Sequence, residues 1–237
     1  MSAAPPRPRI VVLTGAGISA ESGLGTFRDA GGVWTRVRLE DVATPEAFAR
    51  DPATVRAFYD ARRAQARAAE PNAAHRALAR LQQARPDTLI VTQNVDALHE
   101  RGGATRVIHM HGILDGALCA ACDHRWPFEG ETMTAAEVCP GCAAPGAVRP
   151  DIVWFGEAPY RMKEIFDALS ACDLFVSIGT SGAVYPAAGF VAEAARAGAR
   201  TLELNLERSE VSALFDETRQ GRATEIVPAW VAEVIGA

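Results

Sequence analysis

The 237-residue chain has no apolar run long enough for a membrane span or a signal peptide. Its first strongly apolar run, Ile10 to Leu13, is far too short for either. A cytoplasmic protein with no membrane partner is therefore expected. Positive charge is not in excess: 24 Lys and Arg stand against 29 Asp and Glu, for a net charge of −5. No global basic field draws the protein to nucleic acid, and direct nucleic-acid binding is not expected. Lysine is almost missing, since Lys163 is the only one and the remaining basic residues are arginines. With the many alanines, this reads as GC-rich coding bias rather than a functional signal. Internal repeats and low-complexity runs are absent, apart from Pro5, Pro6 and Pro8 in what reads as a loose N-terminal tail. At 49% hydrophobic and 22% charged, the composition excludes disordered, collagen-like and coiled-coil chains. The length suits one large domain, or one domain with an inserted module, burying roughly 70% of the surface of its unfolded chain.

Short apolar runs ended by small or polar residues predict buried strands at Ile10–Leu13, Thr88–Thr92, Leu174–Ile178 and Thr201–Leu204, with a fifth at Glu225–Val227. Helices are predicted at Asn72–Arg85, Met162–Ser170, Ala187–Ala197, Glu210–Thr218 and Ala229–Ile235. The alternation implies an α/β fold with a doubly wound, mostly parallel Rossmann-like sheet. Ligands of such sheets sit at the carboxyl ends of the strands, so the four main strand endings should converge on one site. Two stretches break the alternation, Thr26 to Glu70 and Gly112 to Pro150. They predict a smaller domain, built from a helical insertion (residues 35–70) and a cysteine module (residues 113–150). The sheet domain would then take residues 1–34, 71–112 and 151–237.

Five cysteines, an odd number, argue against a disulfide framework. Four of them form two CxxC pairs, Cys119 with Cys122 and Cys139 with Cys142, sixteen residues apart. This spacing matches the four-cysteine zinc pattern, and four thiolates close a tetrahedral shell, so one structural Zn²⁺ is expected. Cys172, beside a predicted core strand, reads as a small buried hydrophobe. After the first strand, Gly15-Ala16-Gly17-Ile18-Ser19-Ala20 fits G-x-G-x-x-G/A, a loop in which free N–H groups meet a pyrophosphate. The acidic strand end of an ordinary dinucleotide site is not found about 20 residues on. The loop is either a nucleotide site of another type or a structural turn. Of five histidines, His111 stands before Gly112 at the junction with the cysteine module, where a general base is plausible. His109, two residues earlier, has an equal claim on spacing alone.

Taken together and in order, these motifs resemble the sirtuins, the NAD-dependent protein-lysine deacylases, over nearly the whole chain from Ile10 to about Val227. Gly15 to Gly23 with Thr26-Phe27-Arg28 is similar to the family's cofactor signature, and Thr92-Gln93-Asn94-Val95-Asp96 to its ribose and nicotinamide segment. His111-Gly112 resembles its catalytic histidine motif, Val153-Trp154-Phe155-Gly156-Glu157 the strand that pairs with substrate peptide, and the four cysteines its zinc module. Gly25 is a departure, where many members carry proline.

The resemblance selects His111 as the catalytic base. It implies NAD contacts from Gly15, Ala16, Gly17, Ser19, Ala20, Glu21, Thr26, Phe27, Arg28, Trp34, Gln93, Asn94, Val95, Asp96, Gly179, Thr180, Ser181, Asn205, Leu206, Glu207 and Ala223. It implies peptide contacts from Val153, Phe155 and Gly156. In the family the acyl-lysine carbonyl oxygen attacks the nicotinamide ribose, nicotinamide leaves, and the acyl group passes to the ribose. The implied partners are acylated lysine side chains of other proteins. Phe58-Tyr59-Asp60-Ala61-Arg62 is similar to a segment of the desuccinylase/demalonylase branch. Tyr59 and Arg62 stand at i and i+3 of a helix, on one face, where both can donate to an acyl carboxylate. The small Ala30 leaves room for a longer acyl chain. An ADP-ribosyltransferase with the same cofactor chemistry and a non-catalytic zinc-bearing binding module are the rival readings.

Overall fold

The computed structural model describes residues 9–25 and 38–236. In chain order, β1 (Ile10–Thr14) is followed, among the described residues, by the α-helices α1 (Leu39–Val42), α2 (Pro45–Arg50) and α3 (Pro52–Ala68). Then come α4 (Ala73–Ala84), β2 (Leu89–Thr92), α5 (Leu98–Arg101) and β3 (Val107–His109). Three further strands follow, β4 (Gly112–Cys119), β5 (Arg125–Pro127) and β6 (Val148–Ile152). The chain closes with α6 (Met162–Leu169), β7 (Leu174–Ile178), α7 (Phe190–Arg196), β8 (Arg200–Asn205), β9 (Glu217–Gln220) and α8 (Ala223–Ile235).

The main sheet has six strands in the order β3-β2-β1-β7-β8-β9, and every pairing in it is parallel. Alternation along β1 explains the two-sided packing. Ile10 and Val12 face one layer with Leu78 and Leu81 of α4 and Val227, Trp230 and Val231 of α8. Val11 and Leu13 face the other, with Ile165 of α6 and Phe190 and Val191 of α7. A strand buried on both faces must read as a continuous apolar run, which is why β1 and β7 were visible in the sequence. Each fully buried Leu, Ile or Phe contributes roughly 1.5–3 kcal/mol.

The second sheet is antiparallel, in the order β5-β4-β6. Helices α1 to α3 pack on it through Val42, Val55 and Tyr59 against Leu114, Ile152 and Trp154. A separate cluster of Ala117, Phe128, Met133 and Val148 surrounds the buried Cys119 and Cys139. Asp51 starts α3 by accepting from Thr54 N at 3.0 Å, with Pro52 in the first turn, a regular N-terminal cap.

Two expectations are corrected. Glu225–Val227 is not a strand but part of α8, which also absorbs the helix expected at Ala229–Ile235. Val227, Trp230 and Val231 recur at helical spacing, and their burial against α4 outweighs the missing N–H of Pro228 inside the helix. Glu210–Thr218 is not a helix: it holds a short 3₁₀ turn at Ser212–Leu214 and runs into β9. Asp216 fixes that edge by accepting from Thr201 N at 2.8 Å and Thr201 Oγ1 at 3.1 Å. Residues 153–157, which resemble the strand that pairs with substrate peptide, follow directly after the end of β6. Among the described residues no helix is long and apolar enough to cross a membrane.

Candidate functional site

The chain leaves β1 for β2 and β3 on one side, then returns to β7, β8 and β9 on the other. The carboxyl ends of β1 and β7 therefore flank the point where strand order reverses, the usual ligand crevice of such sheets. Here the two loops interlock. Gly15 N donates to Ile178 O at 3.0 Å and Gly17 N to Gly179 O at 2.9 Å. Gly179 has φ +62, and a Cβ on it would lie 2.6 Å from Ile18 N. These glycines thus serve loop-to-loop packing, a second reason for the motif beside approach to a phosphate. Asn205, at the end of β8, ties in by donating from Nδ2 to Thr180 O at 2.7 Å. Ser181 Oγ accepts from Ala183 N at 3.2 Å.

Beneath the loop lies a buried polar network. Asn72 caps α4 by accepting from Ala74 N, and its own N–H donates to His75 Nδ1 at 3.3 Å. That assigns the His75 proton to Nε2, which donates to Ser19 Oγ at 3.4 Å. Ser19 Oγ also accepts from Asn94 Nδ2 at 3.1 Å and donates to Asp96 Oδ2 at 3.1 Å. Asp96 Oδ1 accepts from Leu98 N at 3.0 Å. Burial holds His75 neutral, with its pKa lowered to about 4, and pushes His99, bonded to Thr14 Oγ1, well below the usual range. Burial also raises the Asp96 pKa, against its two hydrogen bonds. Ser19, Asn94 and Asp96 so present a fixed hydroxyl, amide and carboxylate at the crevice. This donor and acceptor set fits sugar hydroxyls and a carboxamide.

Geometry separates the two histidines that spacing could not. His109 bonds through Nδ1 to Asn94 O at 3.2 Å and through Nε2 to Glu100 Oε1 at 2.8 Å. Burial disfavours its charge, but the Glu100 bond and charge, with Asn94 O and Asp96, outweigh this and raise its pKa. Both ring nitrogens are engaged by acceptor oxygens, so His109 offers no unengaged lone pair for base chemistry. Among the described residues His111 bonds only through Nδ1, to Gln93 O at 3.2 Å. A carbonyl only accepts, so Nδ1 holds the proton and Nε2 keeps its lone pair. Burial lowers the His111 pKa against that one bond, which favours the neutral base near neutral pH. Gly112 carries φ +83 beside Asp151 O, and this turn sets His111 at the start of β4.

Tyr59 and Arg62 do share a face of α3. Tyr59 is 3% exposed and accepts from Trp154 Nε1 at 3.0 Å. Arg62 is half-buried, and burial lowers its pKa, opposed by Tyr59 and by the Asp96 carboxylate. Its guanidinium lies 5.9 Å from the Phe58 ring centre. Val153 N donates to His111 O and Phe155 N to Ala43 O. Phe155 itself is 54% exposed, next to Gly156 at φ +91.

The four sulfurs of Cys119, Cys122, Cys139 and Cys142 all lie within 4.8 Å of one another. Cys119 to Cys142 and Cys122 to Cys139 are each 3.7 Å. Sulfurs about 2.3 Å from a tetrahedral Zn²⁺ are about 3.8 Å apart, so the set fits that ion. Both knuckles use one turn: Asp123 N donates to Cys119 O, and Ala143 N to Cys139 O, with Asp123 and Ala143 at positive φ.

Not every expected residue converges on the crevice. Glu21 is turned to α8, accepting from Thr224 N at 3.0 Å and Thr224 Oγ1 at 2.8 Å. It caps that helix from the Gly-rich loop, beside Ala223 in its first turn. Leu206 and Glu207 are exposed beyond β8. Ala16, Ala20, Gln93 and Val95 lie in the loops after β1 and β2. Thr26, Phe27, Arg28, Ala30 and Trp34 lie outside the described residues. Sequence reasoning missed Asn72, His75, His99 and Glu100, and named Trp154 only within the motif that resembles the peptide-pairing strand. Only Asn72 left a signal, as a cap residue before a helical run.

The Sir2 family model matches residues 15–186. An NAD-dependent protein deacylase of Caulobacter vibrioides is 57% identical over 231 residues, covering 96% of this chain and 97% of that protein. An NAD-dependent protein deacylase of Escherichia coli K12 is 54% identical over 232 residues, covering 97% and 83%. Among solved structures, a Sir2 homolog–NAD complex superimposes with a TM-score of 0.87 at 36% identity, covering 95% of this chain and 88% of that one. A Sir2 variant bound to a deacetylated p53 peptide and 3′-O-acetyl ADP-ribose gives 0.76 at 28%, covering 94% and 92%.

Proposed function

Because the chain belongs to the Sir2 family, we propose that it is an NAD-dependent protein-lysine deacylase that removes acetyl groups and also succinyl and malonyl groups. The products are nicotinamide, O-acyl-ADP-ribose and the free lysine. NAD supplies the electrophilic ribose carbon and the nicotinamide leaving group. Asn94 and Asp96 orient the ribose and the carboxamide, and Ser19 couples them into one buried unit. The loops after β1, β7 and β8 hold the phosphates and the second ribose. His111 Nε2 takes a proton from a ribose hydroxyl, and its bond to Gln93 O supports the charge it then carries. Enclosure keeps water from the ribose carbon, so that a weakly nucleophilic amide oxygen competes. Cys119, Cys122, Cys139 and Cys142 would hold Zn²⁺ away from the reaction, as a structural tie. Residues 35–70 and 113–150 make the smaller domain, and the rest carries NAD.

The acid-acyl reading rests on one observation: the half-buried Arg62 stands one helical turn from the buried phenol of Tyr59, on the same face of α3. A carboxylate in such a channel is costly unless a cation and a donor meet it, and these two residues supply both. The test is nicotinamide release from NAD with no peptide and with acetyl-, malonyl- and succinyl-lysine peptides. Release is expected only with acylated peptide, and with all three. Release independent of acyl-lysine contradicts the deacylase assignment; release with acetyl-lysine alone contradicts the acid-acyl part.

A further inference from the structure

Tyr59 holds a neighbour that its proposed role does not by itself require. The indole N–H of Trp154 donates to the Tyr59 phenol oxygen at 3.0 Å. An indole nitrogen only donates, so the phenol oxygen is the acceptor and its single O–H must point elsewhere. Burial pushes the Tyr59 pKa up to about 12, which keeps that proton in place across the working pH range.

Trp154 is unusually well fixed for a residue just beyond a strand end. Its backbone N donates to Glu157 Oε2 at 2.8 Å. Glu157 in turn takes both terminal nitrogens of Arg149, each at 2.8 Å. The Arg149 guanidinium stacks 3.7 Å from the Trp154 ring centre, and the Phe48 ring lies 5.4 Å away. At 2% exposure, the indole is walled in among protein side chains.

We propose that Trp154 is a positioning residue for acyl selection: its indole N–H sets the Tyr59 phenol so that the phenol proton faces the acyl carboxylate. This rests on the acid-acyl reading above. A hydroxyl that accepts a hydrogen bond is also polarised into a better donor. An acetyl group offers no carboxylate, so the preset proton matters only for acid acyl groups. The Arg149–Glu157 pair is the clamp that holds the device in register.

The test is Trp154→Phe, which keeps a ring and removes the donor. One neutral hydrogen bond is worth about 1 kcal/mol, so the succinyl-to-acetyl ratio of kcat/KM should fall about fivefold, mainly through KM for the succinyl peptide. In a Tyr59→Phe background the same change should leave the ratio where Tyr59→Phe put it. An unchanged ratio, or an undiminished effect in that background, overturns the proposal. Should Trp154→Phe fail to fold, a nitrogen–proton correlation spectrum of the wild type decides. The Trp154 indole signal should move in Tyr59→Phe and on binding succinyl-lysine peptide; a signal indifferent to both overturns it. If wild-type desuccinylation does not depend on Arg62, the acid-acyl reading fails and takes this proposal with it. If it does depend on Arg62 while Trp154→Phe keeps the ratio, only the Trp154 proposal fails.

Discussion

Replacing His111 with alanine removes the crevice histidine whose Nε2 keeps a lone pair free of any described partner. Its Nδ1 proton is fixed on Gln93 O, and Nε2 accepts from no described residue. General-base steps contribute about 10²–10⁴-fold, which corresponds to roughly 3–5.5 kcal/mol of transition-state stabilisation. His111→Ala should therefore lower kcat/KM for an acylated peptide by at least about 100-fold, while NAD binding and the far-ultraviolet spectrum stay close to wild type. His109→Ala removes a ring bonded through both nitrogens and should act through the position of Asn94, with a loss about tenfold or smaller. The pH profile gives the sign. The His111 pKa lies below its ordinary 6.5, so the base is neutral and competent above that value. Activity should fall as pH drops through the lowered pKa, placing the acid limb of kcat/KM below 6.5 rather than at or above it. A His109 base, its pKa raised, would put the limb above 6.5. The assay is initial-rate deacylation across pH 5 to 9, with calorimetric NAD titration of each variant. A His111→Ala enzyme near wild-type rate, or a larger loss from His109→Ala, refutes the reasoning.

Metal and loop packing give two further outcomes. Stripping zinc with a chelator, or Cys139→Ser, should unfold the region around Phe128 and Met133, with activity falling in step with near-ultraviolet dichroism; metal-free protein that stays folded and loses only turnover would contradict a structural ion. Gly179→Ala should destabilise by about 2 kcal/mol or more in denaturant titration, since it adds a Cβ 2.6 Å from Ile18 N at φ +62. A change within about 0.5 kcal/mol would show that the interlock is loose.

How far the sequence could be read depends on which interactions are local. β1 and β7 were legible because strands buried on both faces cannot hide among polar residues. β9 was not, because an edge strand reading Glu-Thr-Arg-Gln is held by pairing to β8 and by Asp216, not by apolar content. α8 was split in two by Pro228, since propensity sees the proline and not the α4 surface that holds the helix. At the site, the glycine loop and the two CxxC knuckles were visible because their chemistry is contiguous in sequence. The His75–Ser19–Asp96 network was not, because Ser19 meets its partners across 56 and 77 residues. His111 and His109 could not be ranked from spacing, since only their partners, Gln93 O against Glu100, tell a base from an ion pair.

Selection of acid acyl groups depends most directly on Arg62. The decisive measurement is the ratio of kcat/KM for succinyl- and acetyl-lysine peptides of one sequence, in wild type and in Arg62→Met. Losing one partner of a desolvated charge pair costs about 2–5 kcal/mol, so desuccinylation should fall by roughly 30- to 4,000-fold. Deacetylation should hold within a few-fold, because an acetyl group makes no demand on the guanidinium. Equal loss in both reactions would make Arg62 a structural residue of α3 and contradict the acid-acyl claim.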